Sequence, residues 1–217
     1  AESIIALSPD FVILTGSSSG RGGGVAQTEL ADTLTAANIP VEYFKVTTFD
    51  DYLRMLRTCC DITGDEQAYA ENGQDPADRI AEICAKTEGK QAGSAVVLTT
   101  YSGGTRVQSS STQTGTMLAD LGAQNIADSD KGLLSDYSIE ALIQDNPQTI
   151  FLLPMGNSDE SVQQALAEQT TQNPAWAQLD AVKNDRVVTL DSQLFQYKPN
   201  AQWDQAYQVL FDALYGE

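Results

Sequence analysis

The segment Leu14-Thr-Gly-Ser-Ser-Ser-Gly-Arg-Gly-Gly-Gly24 is the first place where residue types and spacing suggest chemistry. The apolar run Phe11–Leu14 reads as a strand, Val25–Ala37 reads as a helix, and serines and glycines fill the turn between them. A strand, a glycine-rich turn and a helix N-terminus together make a phosphate cradle. The P-loop pattern also needs a lysine, and the only charge between Gly16 and Gly24 is Arg21. The dinucleotide pattern G-x-G-x-x-G fails too, because after Gly20 and Gly22 its third glycine position holds Val25. Glu42 alone, at the right distance for a ribose-binding acid, does not restore it.

Other catalytic sets are equally poor. The chain has no histidine, which removes Ser-His-Asp and Cys-His catalysis, every histidine-containing zinc site and the imidazole haem ligand. Cys59, Cys60 and Cys84 form no C-x-x-C motif, so a thioredoxin-type centre and a four-thiolate zinc site are both excluded. One pair could form a disulfide, or all three could be small buried thiols. The acid pairs Asp50/Asp51 and Asp159/Glu160 sit at helix starts, where carboxylates complement the helix dipole, so they read as caps.

The elements that must position any site alternate along the 217 residues. Val41–Val46 is a second strand, and Thr48-Phe-Asp-Asp51 is a capping signal that opens a helix to about Arg57. Thr63-Gly-Asp-Glu66 is a fuller capping box. The helix it opens is interrupted by Asn72-Gly73 and Asp75-Pro76, giving two helices (64–72 and 76–88) or one kinked helix. Ala95–Tyr101 is a strand running into a second glycine-rich loop, Ser102-Gly-Gly-Thr-Arg106. Helices near 113–121, 138–144, 160–168 and 201–214 then alternate with strands at 149–153 and 186–190. Alternating strands and helices imply α/β architecture with parallel sheets flanked by helices. Two such sets joined by a bridging helix suggest two lobes, with residues 1–62 in the first, 63–92 in the bridge and 93–217 in the second. Ligands of open parallel sheets bind beyond the strands' C-terminal ends, where both glycine loops fall.

Net charge is −18, with 12 basic against 30 acidic residues, so no positive stripe exists for a nucleic-acid backbone or anionic lipid. The hydrophobic fraction of 41% describes a globular chain, and no run approaches the roughly 18 apolar residues of a membrane span. The chain opens on Ala1 rather than Met, which reads as a processed or cut boundary and leaves the compartment open.

As a whole the chain resembles the helix-linked substrate-binding proteins of bacterial ABC importers, the class serving cobalamin, haem and ferric siderophores. The opening Glu2-Ser-Ile-Ile-Ala-Leu-Ser-Pro-Asp-Phe-Val-Ile13 carries most of the likeness. Thr48-Phe-Asp-Asp51, Ile62-Thr-Gly-Asp-Glu66 and Leu121-Gly-Ala-Gln-Asn-Ile126 follow in family order. Ser138-Ile-Glu-Ala-Leu-Ile-Gln-Asp-Asn-Pro147, Ile150-Phe151 and Trp176-Ala-Gln-Leu-Asp-Ala-Val-Lys-Asn-Asp-Arg-Val187 complete the series.

The resemblance implies a non-catalytic receptor, periplasmic or lipid-anchored at the cell surface, without a resident cofactor or metal. It would deliver an iron complex (siderophore or haem) or cobalamin to an import permease. Glu2 and Glu140 match the two glutamates that dock onto permease arginines in this family. Ligand contacts are expected from the loops holding Arg21, Tyr101 and Arg106, and from Tyr137 and the Phe195–Tyr197 stretch, including Tyr197. A guanidinium on each lobe would grip a carboxylate-bearing or anionic ligand. Relatives carry further strands before the position of Glu2, so the N-terminal lobe is expected to be incomplete, with an open edge that invites pairing with another chain. The alternative from another class is a two-lobed α/β oxidoreductase-like enzyme using a nucleotide or a metal cluster, for which a phosphate motif or cysteine ligands would be needed.

Overall fold

A computed structural model describes residues 1–15, 27–129, 131–135, 137–155 and 160–216. They fall into two compact units, Ala1–Thr63 and Gly64–Glu217.

The first unit holds helix α1 (Glu2–Ala6), strand β1 (Val12–Leu14), helix α2 (Gln27–Ala36), strand β2 (Val41–Tyr43) and helix α3 (Phe49–Thr63). Helix α1 was not expected from the sequence. Strands β1 and β2 pair in parallel, with Val12 opposite Val41 and Leu14 opposite Tyr43. This sheet is small, and Phe11, Ile13 and Tyr43 remain exposed beside it. Helix α2 turns Ala31 and Leu34 inward. It is closed by Asn38 in the left-handed region (φ 60°), a conformation asparagine tolerates.

The capping box of α3 forms as its spacing predicts. Thr48 Oγ1 accepts from the Asp51 amide (3.1 Å), and Asp51 Oδ2 accepts from the amides of Thr48 (3.0 Å) and Thr47 (2.9 Å). The second expected box is corrected. Thr63 is the last residue of α3, its hydroxyl donating to the Cys59 carbonyl, and Asp65 caps the next helix by accepting from the Ala68 amide.

The second unit begins with α4 (Glu66–Tyr69), a π-helical turn (Ala70–Gln74) and α5 (Asp75–Ala85), a continuous helical path. The discord at Asn72–Pro76 therefore yields neither a break nor an ordinary kink. Pro76 has no N–H to offer, and a widened turn ahead of it relieves the clash of its ring with the preceding carbonyls. Helix α5 buries Ile80 and Ile83, and Arg79 Nε donates to Asp204 Oδ2 at 2.6 Å.

Five strands form the main sheet: β3 (Ser94–Tyr101), β4 (Gly104–Gln108), β5 (Gln124–Asn125), β6 (Thr149–Pro154) and β7 (Val187–Thr189). Their order is β4–β3–β6–β7, with β5 beside the N-terminal end of β3. The β3–β5, β3–β6 and β6–β7 pairings are parallel, whereas β4 runs antiparallel to β3. Helices α6 (Gln113–Asp120), α7 (Lys131–Ser135), α8 (Ile139–Asp145), α9 (Glu160–Gln169), α10 (Asp180–Lys183), α11 (Ser192–Phe195) and α12 (Trp203–Tyr215) surround it.

The sheet is buried on both faces, as parallel strands require. Val96, Leu98, Ile150 and Leu152 pack on one face with Leu142, Trp176 and Leu179. By strand alternation Val97, Phe151 and Leu153 point to the other face, where they are equally buried. The α/β class read from the sequence is therefore the observed one. None of the three cysteines is in a disulfide, with Cys60 buried and Cys59 and Cys84 half-buried. Burial and the nearby Asp120 carboxylate push the Cys84 thiol up from its ordinary range.

Candidate functional site

Beyond the C-terminal ends of β3 and β6 lies a cavity of about 200 Å³, entirely within the second unit. This is the end of a parallel sheet where connecting loops diverge and leave a crevice. Thr99 and Gln108 supply one wall, Leu153 and Met155 a second, Thr112 and Gln113 a third, and Phe195, Gln196 and Lys198 the last.

The first wall is a hairpin. The chain reverses at Ser102–Gly103, so that Tyr101 pairs with Gly104 and Thr99 with Arg106. The second glycine-rich loop expected from the sequence is thus a tight turn, and Arg106 stands on a strand. Two glycines in sequence read as a loop, yet Ser102–Gly103 suffice as the turn, and Gly104 opens the return strand at φ 133°, a conformation that suits glycine. Alternation places Thr99, Tyr101, Arg106 and Gln108 on the same face of this hairpin. The Arg106 guanidinium lies 5.3 Å from the centroid of the Tyr101 ring, a cation–π contact.

Hydrogen bonds lock the remaining walls. Gln108 Nε2 donates to Thr99 Oγ1 (2.6 Å), and the Thr112 hydroxyl lies 3.0 Å from Gln108 Oε1. Thr112 also caps α6 by accepting from the Gly115 amide, so the N-terminus of that helix opens onto the cavity. Gln113 Nε2 donates to the Leu194 carbonyl (3.0 Å) and ties α6 to α11. Asp191 caps α11 by accepting from the Gln193 amide (2.9 Å), which sets the path of Phe195 to Lys198. Among the described residues, the lining carries one cation, Lys198, and no carboxylate.

The structure distributes the expected site residues unevenly. Tyr101 and Arg106 share a hairpin face with two lining residues. Phe195 lines the cavity, but Tyr197 is 57% exposed and outside the lining, while its neighbours Gln196 and Lys198 are within it. Tyr137 packs against the core cluster, and its buried hydroxyl has no partner among the described residues. Burial first, then the nearby Glu140 charge, pushes that hydroxyl up to about 12. Arg21 and its glycine loop lie outside the described residues.

The two candidate docking acids are both exposed. Glu2 is the first residue of α1. Glu140 lies in the first turn of α8, where Ser138 caps the helix by accepting from the Ala141 amide and donates to Glu140 Oε2 (2.8 Å). That hydroxyl bond holds the Glu140 carboxyl below its ordinary range. Sequence reasoning missed Gln108, Thr112, Gln113, Met155 and Lys198. The scarcity of basic residues, which singles out Arg21 and Arg106, is the signal in the sequence that also points to Lys198.

Known proteins share this architecture. Residues 1–194 match the family described as periplasmic binding protein. The high-affinity heme uptake system protein IsdE of Staphylococcus aureus (strain MRSA252) is 26% identical over 170 residues, 76% of this chain. The present chain spans 58% of that relative's length. An ABC transporter substrate-binding protein from Listeria monocytogenes EGD-e superposes with a TM-score of 0.73 at 20% identity, covering 100% of this chain and 80% of that one. The periplasmic vitamin B12 binding protein BtuF of Vibrio cholerae gives 0.75 at 18% identity, covering 98% and 76%. Each of these proteins is named for the uptake or binding of a molecule. On its sequence pattern across residues 1–194, the chain belongs to the periplasmic binding protein family.

Proposed function

We propose that this chain is an extracytoplasmic solute receptor that captures an iron complex (siderophore or haem) or a cobalamin-type ligand and hands it to an ABC import permease. The observation that carries the reading is the cavity at the C-terminal ends of β3 and β6. Its lining combines apolar Leu153, Met155 and Phe195 with hydroxyl and amide groups held in fixed orientation. Small-molecule sites combine apolar contact with a few placed polar groups in this way, and a cavity of about 200 Å³ receives one portion of a ligand as large as haem or cobalamin. No helix among the described residues is long and apolar enough to cross a membrane. Glu2 and Glu140 are read as the permease contacts, one exposed anion on each lobe.

The test is a binding screen of the protein against haemin, cyanocobalamin and ferric siderophores, followed by tryptophan fluorescence. Saturable quenching by at least one member is expected, and no response to any member overturns the reading. The short β1–β2 sheet, with Ile13 and Tyr43 exposed, supports the further reading that its edge pairs with another chain. Sedimentation is then expected to show concentration-dependent association that weakens in Ile13→Lys. A single monomeric species at all concentrations refutes that pairing.

A further inference from the structure

We infer that Asp128, with Asn125 beside it, is a positioning residue of the cavity, bracing residues 108–113 from outside the lining in the geometry that receives ligand. The inference rests on the receptor reading above and deepens it. It also gives a task to the end of the motif at 121–126, none of whose residues lines the cavity.

Three lining residues, Gln108, Thr112 and Gln113, lie on the stretch that leaves β4 and enters α6. Strand β4 pairs with Val97–Tyr101 of β3, and β5 pairs with Ser94 and Ala95. Ala95 also pairs with Thr149 of β6, so β5 lies on the side of β3 that β4 occupies. The end of β4 therefore meets the end of β5 and the short helical turn Ile126–Asp128 that follows it.

Two side chains make the hold. Asn125 is buried, and both ends of its amide are used. Its Oδ1 accepts from the Ala127 amide (3.1 Å), and its Nδ2 donates to the Gln108 carbonyl (2.9 Å). An amide so bonded has one orientation only. Asp128 Oδ1 accepts from the Ser110 amide (3.0 Å), and Oδ2 accepts from the Ser110 hydroxyl. Inside the same stretch the Thr112 hydroxyl donates to the Ser109 carbonyl (2.8 Å), which couples the braced loop to the capping residue of α6.

A wall ordered before the ligand arrives leaves less entropy to be lost on binding. Asp128 itself is exposed and lines no part of the cavity, a position that ordinarily tolerates substitution. Loss of affinity on its removal therefore reports the brace.

The experiment compares the full chain with Asp128→Ala and Asp128→Asn. Amide hydrogen exchange is followed by mass spectrometry, and affinity is measured for haemin, cyanocobalamin, iron(III) tris(catecholate) and iron(III) tris(acetohydroxamate). Asp128→Ala is expected to exchange faster over residues 108–115 and not elsewhere. It should lose about fivefold in affinity for whichever probe wild type binds, as a wall in its binding geometry for about a fifth of the time would. Asp128→Asn keeps an acceptor for the Ser110 amide and should stay within about twofold of wild type. Unchanged exchange, unchanged affinity or faster exchange across the whole chain in Asp128→Ala overturns the inference while the receptor reading stands. An equal loss in Asp128→Asn does the same, because it assigns the effect to charge. Failure of wild type to bind any probe overturns both.

Discussion

A Cβ added to Gly115 would lie 2.1 Å from the carbonyl oxygen of Ser109, so the first turn of α6 rests directly on the backbone of the loop before it. The same added atom would approach Ser110 Cα to 2.8 Å. Both obstacles are backbone rather than the free end of a side chain, and neither can rotate away. Gly115→Ala is expected to destabilise the chain by about 2 kcal/mol and to shift Thr112 and Gln113, which line the cavity. Thermal denaturation and ligand titration should both record the loss. An unchanged melting temperature would show that the loop yields.

Exposed Arg106 and half-buried Tyr101 form a diagonal cross-strand pair, worth no more than about 1 kcal/mol to the fold. Arg106→Ala is therefore expected to leave the melting curve nearly unchanged while weakening an anionic chelate several-fold. Tyr101→Ala should weaken flat aromatic ligands more than Arg106→Ala does. If the melting temperature falls and affinity stays constant, the pair serves the hairpin alone.

Charge reversal separates docking from capture. Glu2→Lys and Glu140→Lys are exposed and line no part of the described cavity, so ligand affinity should persist while permease-dependent uptake is lost. Ser138→Ala keeps the carboxylate but removes the cap of α8, and is expected to cost about 1 kcal/mol of stability. Uptake at the wild-type rate by the double reversal would remove both acids from the interface.

The Tyr137 hydroxyl, pushed up to about 12 by burial and by Glu140, predicts alkaline sensitivity. The unfolded chain releases this proton near the ordinary value of about 10. Folded chains hold it longer, so stability from this group is intact below about pH 10 and declines from there towards about 12. Urea denaturation of wild type and Tyr137→Phe between neutral and strongly alkaline pH should show the steeper decline in wild type. Parallel curves would contradict the assignment.

Asp51 gives the opposite sign. Burial raises its carboxyl, but the Thr47 and Thr48 amides, Arg54 and the Thr48 hydroxyl together outweigh that and hold it below the ordinary range. Its contribution is present above the unfolded value of about 4 and is lost as pH falls through the lower folded value. Asp51→Asn should therefore be less stable than wild type near neutrality, with the difference shrinking in acid. A constant difference across that range would assign the effect to packing.

Much of the fold was legible because local signals and tertiary packing agree. Thr48 with Asp51 and Ser138 with the Ala141 amide are caps whose geometry depends on residues three apart. The apolar runs Ala95–Tyr101 and Thr149–Pro154 could be satisfied only as strands buried on both faces. The failures occurred where a local signal admits two structures. Thr63 has the residue type of a cap, but its hydroxyl bonds back to Cys59 and it ends a helix instead. Ser102–Gly103 has loop composition, but the antiparallel register of Arg106 on Thr99 makes it a hairpin turn.

By itself the sequence determined the chemistry that is absent and the class of architecture. Without histidine, a phosphate-binding lysine or paired cysteine motifs, no arrangement of this chain supplies those sites, because functional groups cannot be added by folding. Strand and helix periods likewise follow from side-chain spacing along the backbone. Only the tertiary structure decided which polar groups face the cavity. Gln108, Thr112, Gln113 and Lys198 come from segments up to 90 residues apart, and their meeting depends on strand order, hairpin register and the caps of α6 and α11. Tyr137 and Tyr197 show the same limit in reverse: one hydroxyl is drawn into the core and the other ring is left in solvent, a difference set by packing and invisible in residue type.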